Sequence, residues 1–313
     1  MTENNGSGLH ESLVSSAKWT RSWELLKPLE NTGICSGVSA VEFKGKVYVF
    51  FIAEKVPGQL VLSYLLLGKS TDNALVVERL ESIHGQGLTR HRPAVAVYDG
   101  HLFCFHTAVD KRVHYLVFSG TEWSHDAIVP GVLTDNAPSV ANFENNLYLA
   151  VQGTYNGEFY HKVFENFEWR ATINDPDITC KGSPSLCAYS HSLSVAVTGM
   201  DGTLALFHFA EHKWKLAYAS PHYKVLGSPA LYARKKYLVC ASISDPDRHV
   251  VTETISEMSD GTPSREINMH LDKTLGKYLS EPCLIQYGEQ FYLIGRRPCN
   301  DLAISVYKPP LIG

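Results

Sequence analysis

Residues 138–169 read PSVANFENNLYLAVQGTYNGEFYHKVFENFEW, and this stretch decides the fold. It opens on Pro138, a small residue and a valine, and reaches an aromatic at Phe143. A run rich in apolar and aromatic residues follows (LYLAVQG), then Phe159-Tyr160-His161-Lys162-Val163-Phe164 with period-two character. Trp169 closes the stretch, five residues beyond Phe164. Short runs of this kind, separated by Asn and Gly, read as successive strands of one antiparallel sheet.

The same opening recurs. Pro93-Ala94-Val95, Pro138-Ser139-Val140, Pro184-Ser185-Leu186, Pro229-Ala230-Leu231 and Pro282-Cys283-Leu284 share it, and Val38-Ser39-Ala40 fits without the proline. The starts are spaced by 55, 45, 46, 45 and 53 residues, the length of a four-stranded propeller blade. In three repeats a tryptophan follows the last aromatic of the third strand: Phe118/Trp123, Phe164/Trp169 and Phe209/Trp214. The innermost column reads Ser39, Ala94, Ser139, Ser185, Ala230 and Cys283, all small, as strands converging on an axis require.

The sixth repeat stops after three strands, at Tyr307. Trp23 precedes Val38 by the same 15 residues that separate each of the other three tryptophans from the next opening. The segment from Trp19 to Leu26 is therefore expected to supply the missing outer strand, which removes an open sheet edge. The predicted fold is all-β: a six-bladed β-propeller of four-stranded blades, closed by an N-terminal strand that completes the last blade. Residues 1–15 read as a disordered leader and 16–313 as one domain. Insertions are expected near Gly68–Asn73 and Asp245–Arg248, with a loop around Ser256–Ser264.

Composition bounds the function. A net charge of −4 provides no basic field for nucleic acid. The longest purely apolar run, Val47 to Ala53, is too short to span a bilayer, and no secretory signal is evident. Seven cysteines with no Cys-x-x-Cys pair read as buried reduced thiols and a cytoplasmic location. Glycine-rich phosphate loops, nucleophile elbows and dinucleotide fingerprints are missing, so no cofactor is expected. Nor is a metal: His91, His106 and His114 lack the spacing of a zinc site supported by an acidic partner.

The blade pattern, carried best by residues 138–169, resembles that of lectin-like propellers: the fucose-binding six-bladed lectins of fungi and related seven-bladed bacterial lectins. The S-x-D-x-G-x-x-W turn of sialidases, kelch double glycines and WD dipeptides are absent. The resemblance implies a fold and, as one reading, fucose-like sugars held between blades.

The loops on one face of such a ring supply the candidate site residues. His106 ends a second strand where Val151 and Val197 stand in neighbouring repeats, and a polar residue there suits acid/base or hydrogen-bonding work. Arg92 and Arg296 suit a bidentate grip on a carboxylate, phenolate or carbonyl. These three are the expected catalytic residues. Glu54, Arg90, Gln152, Tyr155, Lys181, Glu281 and Arg297 are the expected substrate-binding residues.

A multivalent lectin repeats one pocket, whereas these loops are not copies of one another. That favours one composite pocket over the channel and a cofactor-free enzyme that cyclises, isomerises or eliminates a small organic molecule. A carbohydrate-binding lectin is the alternative, and a protein-interaction scaffold the third reading.

Overall fold

The structure, a computed structural model, describes residues 23–26, 28–71, 75–85, 87–189, 192–234, 237–257, 263–272 and 276–308. The expected leader, and Trp19 to Ser22 of the closing segment, lie outside the described residues. The described chain is β-sheet in a propeller-like arrangement, with one short 3-10 turn at Pro298–Asn300.

Each repeat begins with a hairpin. The inner strands are β2 (Ile34–Phe43), β6 (Ala94–Tyr98), β10 (Ser139–Phe143), β15 (Ser185–Tyr189), β19 (Ala230–Arg234) and β23 (Cys283–Tyr287). Their second strands are β3 (Lys46–Val56), β7 (His101–Thr107), β11 (Asn146–Gln152), β16 (Ser192–Thr198), β20 (Tyr237–Asp245) and β24 (Gln290–Arg296). The register is the same in every hairpin: Ser39 faces Phe50, Ala94 Phe105, Ser139 Ala150, Ser185 Ala196, Ala230 Ala241 and Cys283 Ile294. Where the turn residues are described, two-residue turns set it. Asp99 and Gly100, for example, both have positive φ, which matches the right-handed twist of the flanking strands.

Outside these hairpins lie β4 (Gln59–Lys69) and β5 (Leu75–His84) in repeat one, and β8 (Arg112–Phe118) and β9 (Ala127–Leu133) in repeat two. Repeat three adds β12 (Glu158–Glu165), β13 (Glu168–Trp169) and β14 (Ile173–Thr179); repeat four adds β17 (Thr203–Ala210) and β18 (Lys213–Val225). Repeat five adds β21 (Val250–Glu257) and β22 (Pro263–Asp272); repeat six adds β25 (Leu302–Tyr307), against which β1 (Trp23–Leu25) pairs. Trp23 stands opposite Tyr307, with ring centroids 5.5 Å apart edge to face. The two ends of the described chain thus share one sheet.

One expectation needs correction. The hydrogen-bonded sheets do not separate cleanly into six, because repeats four and five fuse into one eight-stranded sheet. Strand β18 bends through two register shifts, and its end pairs Lys224 with Asp245 and Val225 with Ser244 of β20. Of the insertion expected near Gly68–Asn73, Gly68 and Lys69 lie within β4, while Asp72 and Asn73 lie outside the described residues; β3 and β4 are 11 residues each. Of the loop expected around Ser256–Ser264, Ser256 and Glu257 end β21, Pro263 and Ser264 begin β22, and residues 258–262 lie outside the described residues.

The core sits between repeats. Side chains on one face of each sheet pack against the facing sheet of the next. Leu62, Tyr64 and Leu66 meet Leu102, Cys104 and Leu116; Phe103 and Phe105 meet Leu147, Leu149 and Val151. The last interface packs Ile294 and Ile304 on Val49 and Phe51. Each such fully buried side chain stabilises the fold by about 1.5–3 kcal/mol. At the axis the inner strands touch in the cyclic order β2, β6, β10, β15, β19, β23 and back to β2. Their serines do more than fit. Ser39 Oγ donates to Pro93 O at 2.6 Å, and the amides of Leu186 and Leu231 donate to Ser139 and Ser185 Oγ at 2.8 and 2.9 Å, tying neighbouring repeats together.

Candidate functional site

Strand alternation decides which residues meet between repeats. On β7, Leu102 and Cys104 face repeat one while Phe103 and Phe105 face repeat three. His106 continues the first series, and His114 does the same on β8 after Leu116 and Phe118. The register sets His106 directly opposite His114, their ring centroids 5.5 Å apart and their planes 29° from parallel. Asp126, just before β9, completes the group. Its Oδ1 lies 3.2 Å from His106 Nε2, and its Oδ2 lies 2.8 Å from His114 Nδ1. His106 is 2% exposed and the Asp126 side chain 23%. Burial pushes the Asp126 carboxyl pKa up, but hydrogen bonds and charge from His106 and His114 outweigh it and hold it below its ordinary value. The acidic partner that the spacing of the histidines did not reveal is thus present.

The same position in repeat three is occupied by Val151 opposite Tyr160. Here the groove toward repeat two holds a cavity of about 350 Å³, walled by Val132, Tyr155, Glu158, Tyr160, Thr172 and Asn174, among others. Tyr155 stands 75% exposed on a turn whose central residues, Asn156 and Gly157, both have positive φ. Tyr160 Oη donates to Glu158 Oε2 at 2.6 Å, and this bond raises the Tyr160 pKa. Gly153 makes room for the ring, because a Cβ there would sit 2.5 Å from Tyr160 Cε2.

Among the other expected site residues, Glu54, Arg90 and Arg296 lie around Cys35, and Glu281 and Arg92 both flank Gly37. Glu54 and Arg90 pair with each other, Arg90 Nη2 lying 2.7 Å from both carboxylate oxygens, and Glu54 also accepts from Gly58 N. Arg296 donates to Cys35 O at 2.9 Å and to Asn300 Oδ1, and burial lowers its pKa. Gln152 bridges repeats, donating to Cys180 O and accepting from Asn136 Nδ2 and Gly182 N. Lys181 is exposed. Arg297 packs by Gly276, and Glu281 beside Gly37 and Gly227.

Arg92, 7% exposed, lines the central channel, a cavity of about 270 Å³ walled mostly by the small inner column. The structure therefore brings Tyr155 into a cavity, His106 into a histidine–aspartate cluster and Arg92 into the channel, and it does not gather them into one pocket. Sequence reading missed Asp126, Glu158 and Tyr160. Only Tyr160 carried a signal, as an aromatic at the position where repeat two has His114.

No family model matches the chain, and no curated protein matches it. Solved structures do. AofleA of Arthrobotrys oligospora, in a form with three arginines changed to alanine, superposes with a TM-score of 0.65 at 11% identity, covering 94% of this chain and 89% of that one. The Aleuria aurantia lectin, as a point mutant in complex with Fucalpha1-6GlcNAc, gives 0.65 at 10% identity over 90% and 94%. Trypanosoma rangeli sialidase gives 0.65 at 9% identity, over 92% of this chain and 60% of the sialidase. The chain has the propeller-like fold that these lectin and sialidase structures share.

Proposed function

We propose that the protein binds a carbohydrate, seated in the cavity between repeats two and three. The observation that carries this reading is the cavity wall itself: two tyrosines, a carboxylate and an amide around about 350 Å³. A pyranose offers a C–H face and a rim of hydroxyls. Tyrosine rings pack against such a face, Glu158 accepts hydroxyl hydrogen bonds, and Asn174 both donates and accepts. The likeness in fold to lectins, one of them solved with a fucosylated disaccharide, supports the choice of ligand class.

We infer one such site rather than a ring of equal ones, because the tyrosine does not recur. Its counterparts are His114 in repeat two and Ala205 in repeat four. The cofactor-free cyclase reading draws less support, since His106 bonds Asp126, Arg296 bonds Cys35 and Asn300, and Arg92 lines the channel. We also read the ring as six-bladed, with repeats four and five as two blades and the chain from residue 16 onward as one domain. The shared hairpin register and the cyclic contacts of the inner strands support that count.

The test is a glycan array of fucosylated and non-fucosylated saccharides, followed by calorimetry with the best binder. Binding competed by free sugar and lost in Tyr160→Ala is expected. No competable binding by any glycan would overturn the reading.

A further inference from the structure

We propose that His106, His114 and Asp126 form a binding site for a divalent transition-metal ion, with Zn²⁺ as the reference cation. The donors come from two adjacent strands and the residue before a third, and they converge: one ring nitrogen each of His106 and His114 and one oxygen of Asp126 lie within 4.8 Å of one another. Ligands held at about 2.0–2.1 Å in a tetrahedral shell stand about 3.3 Å apart. His106 Nε2 lies 3.2 Å from Asp126 Oδ1 and His114 Nδ1 lies 2.8 Å from Oδ2, so both imidazoles already border one carboxylate. A small rotation of the imidazoles completes the set. No backbone movement is needed, because the histidines face each other across a fixed ladder.

The donor chemistry selects the ion. Two imidazoles and one carboxylate suit zinc, iron, cobalt or nickel, whereas calcium and magnesium take oxygen shells. The surroundings have the form of a built site. The second nitrogen of His114, Nε2, lies 3.7 Å from Asp110 Oδ1, beyond hydrogen-bond distance but near enough for that carboxylate to close on a metal-bound imidazole. Below the cluster the groove is closed by buried Cys104 and Leu116. Three protein ligands leave at least one coordination position for water or a ligand oxygen.

The test uses the full chain, stripped with a chelator and desalted, then titrated with Zn²⁺ in competition with a chromophoric chelator and with Co²⁺ by visible absorption. One equivalent of metal and a Co²⁺ ligand-field band are expected. Asp126→Asn and His114→Ala each weaken binding at least tenfold, Asp110→Asn weakens it less, and His125→Ala, on an exposed neighbour, leaves it unchanged. The near-isosteric Asp126→Asn keeps the test valid if His114→Ala unfolds, as judged by circular dichroism. No stoichiometric uptake of either ion, or uptake undiminished in Asp126→Asn, overturns the proposal.

Discussion

Repeats two and three set a cross-strand pair at the same position of the same register, and the two grooves they border have opposite character. His106 opposite His114 meets Asp126, and these polar groups bond one another in the groove. Val151 opposite Tyr160, with Gly153 beside the ring, draws nothing in, and a cavity stands there instead. The scaffold fixes where the pair sits, and two side chains decide whether the place is a polar cluster or an open pocket. A ring of repeats can therefore carry unlike sites without changing its ladders.

The largest expected effect comes from opening the ring, which would degrade both grooves together. Trp23 is 3% exposed and packs on Phe291 as well as Tyr307. Trp23→Ala should destabilise the protein by about 3–5 kcal/mol in urea titration. A loss below about 1 kcal/mol would show that closure does not hold the two grooves in place.

The second test separates the grooves. Tyr155→Ala combined with Tyr160→Ala should weaken saccharide binding by tenfold or more in calorimetry, while Asp126→Asn leaves it within twofold. Equal losses in both variants would mean that the grooves act as one site, and the contrast drawn above would fail.

A third groove, between repeats three and four, sharpens the comparison through pH. His161 is buried there, with Trp214 Nε1 donating to its Nδ1 at 3.4 Å, and its pKa is lowered from 6.5 by burial, with Asp175 opposing in part. The folded state therefore prefers the neutral ring and the unfolded state takes the proton first. The stabilisation is complete above about pH 6.5 and declines as pH falls from there to the depressed folded value. Urea titrations of wild type and His161→Phe at several pH values between 8 and 5 should show a shallower acid decline in the variant; parallel curves would refute the assignment.

The smallest effect belongs to Arg90→Ala. Its ion pair with Glu54 is exposed, so stability should change by less than about 1 kcal/mol, with both grooves unaffected in ligand and metal titrations.

The sequence alone determined the repeat, the column of small inner residues and the place of Trp23 opposite Tyr307. Each of these is periodic: the same spacing, read several times, reports a register that local turns and strand alternation impose. It also marked His106 as a departure from the pattern and Tyr155 as a binding residue on a loop. Only the tertiary structure decided what those two residues meet. Asp126 reaches the two histidines, and Glu158 and Asn174 wall the same cavity as Tyr160, because strands distant in sequence lie side by side. The fusion of repeats four and five was equally hidden, since it rests on the bend of β18 rather than on any residue pattern. Periodicity encodes what each repeat does alone, whereas a site between repeats depends on which side chains face each other across the gap, and that pairing is set by packing.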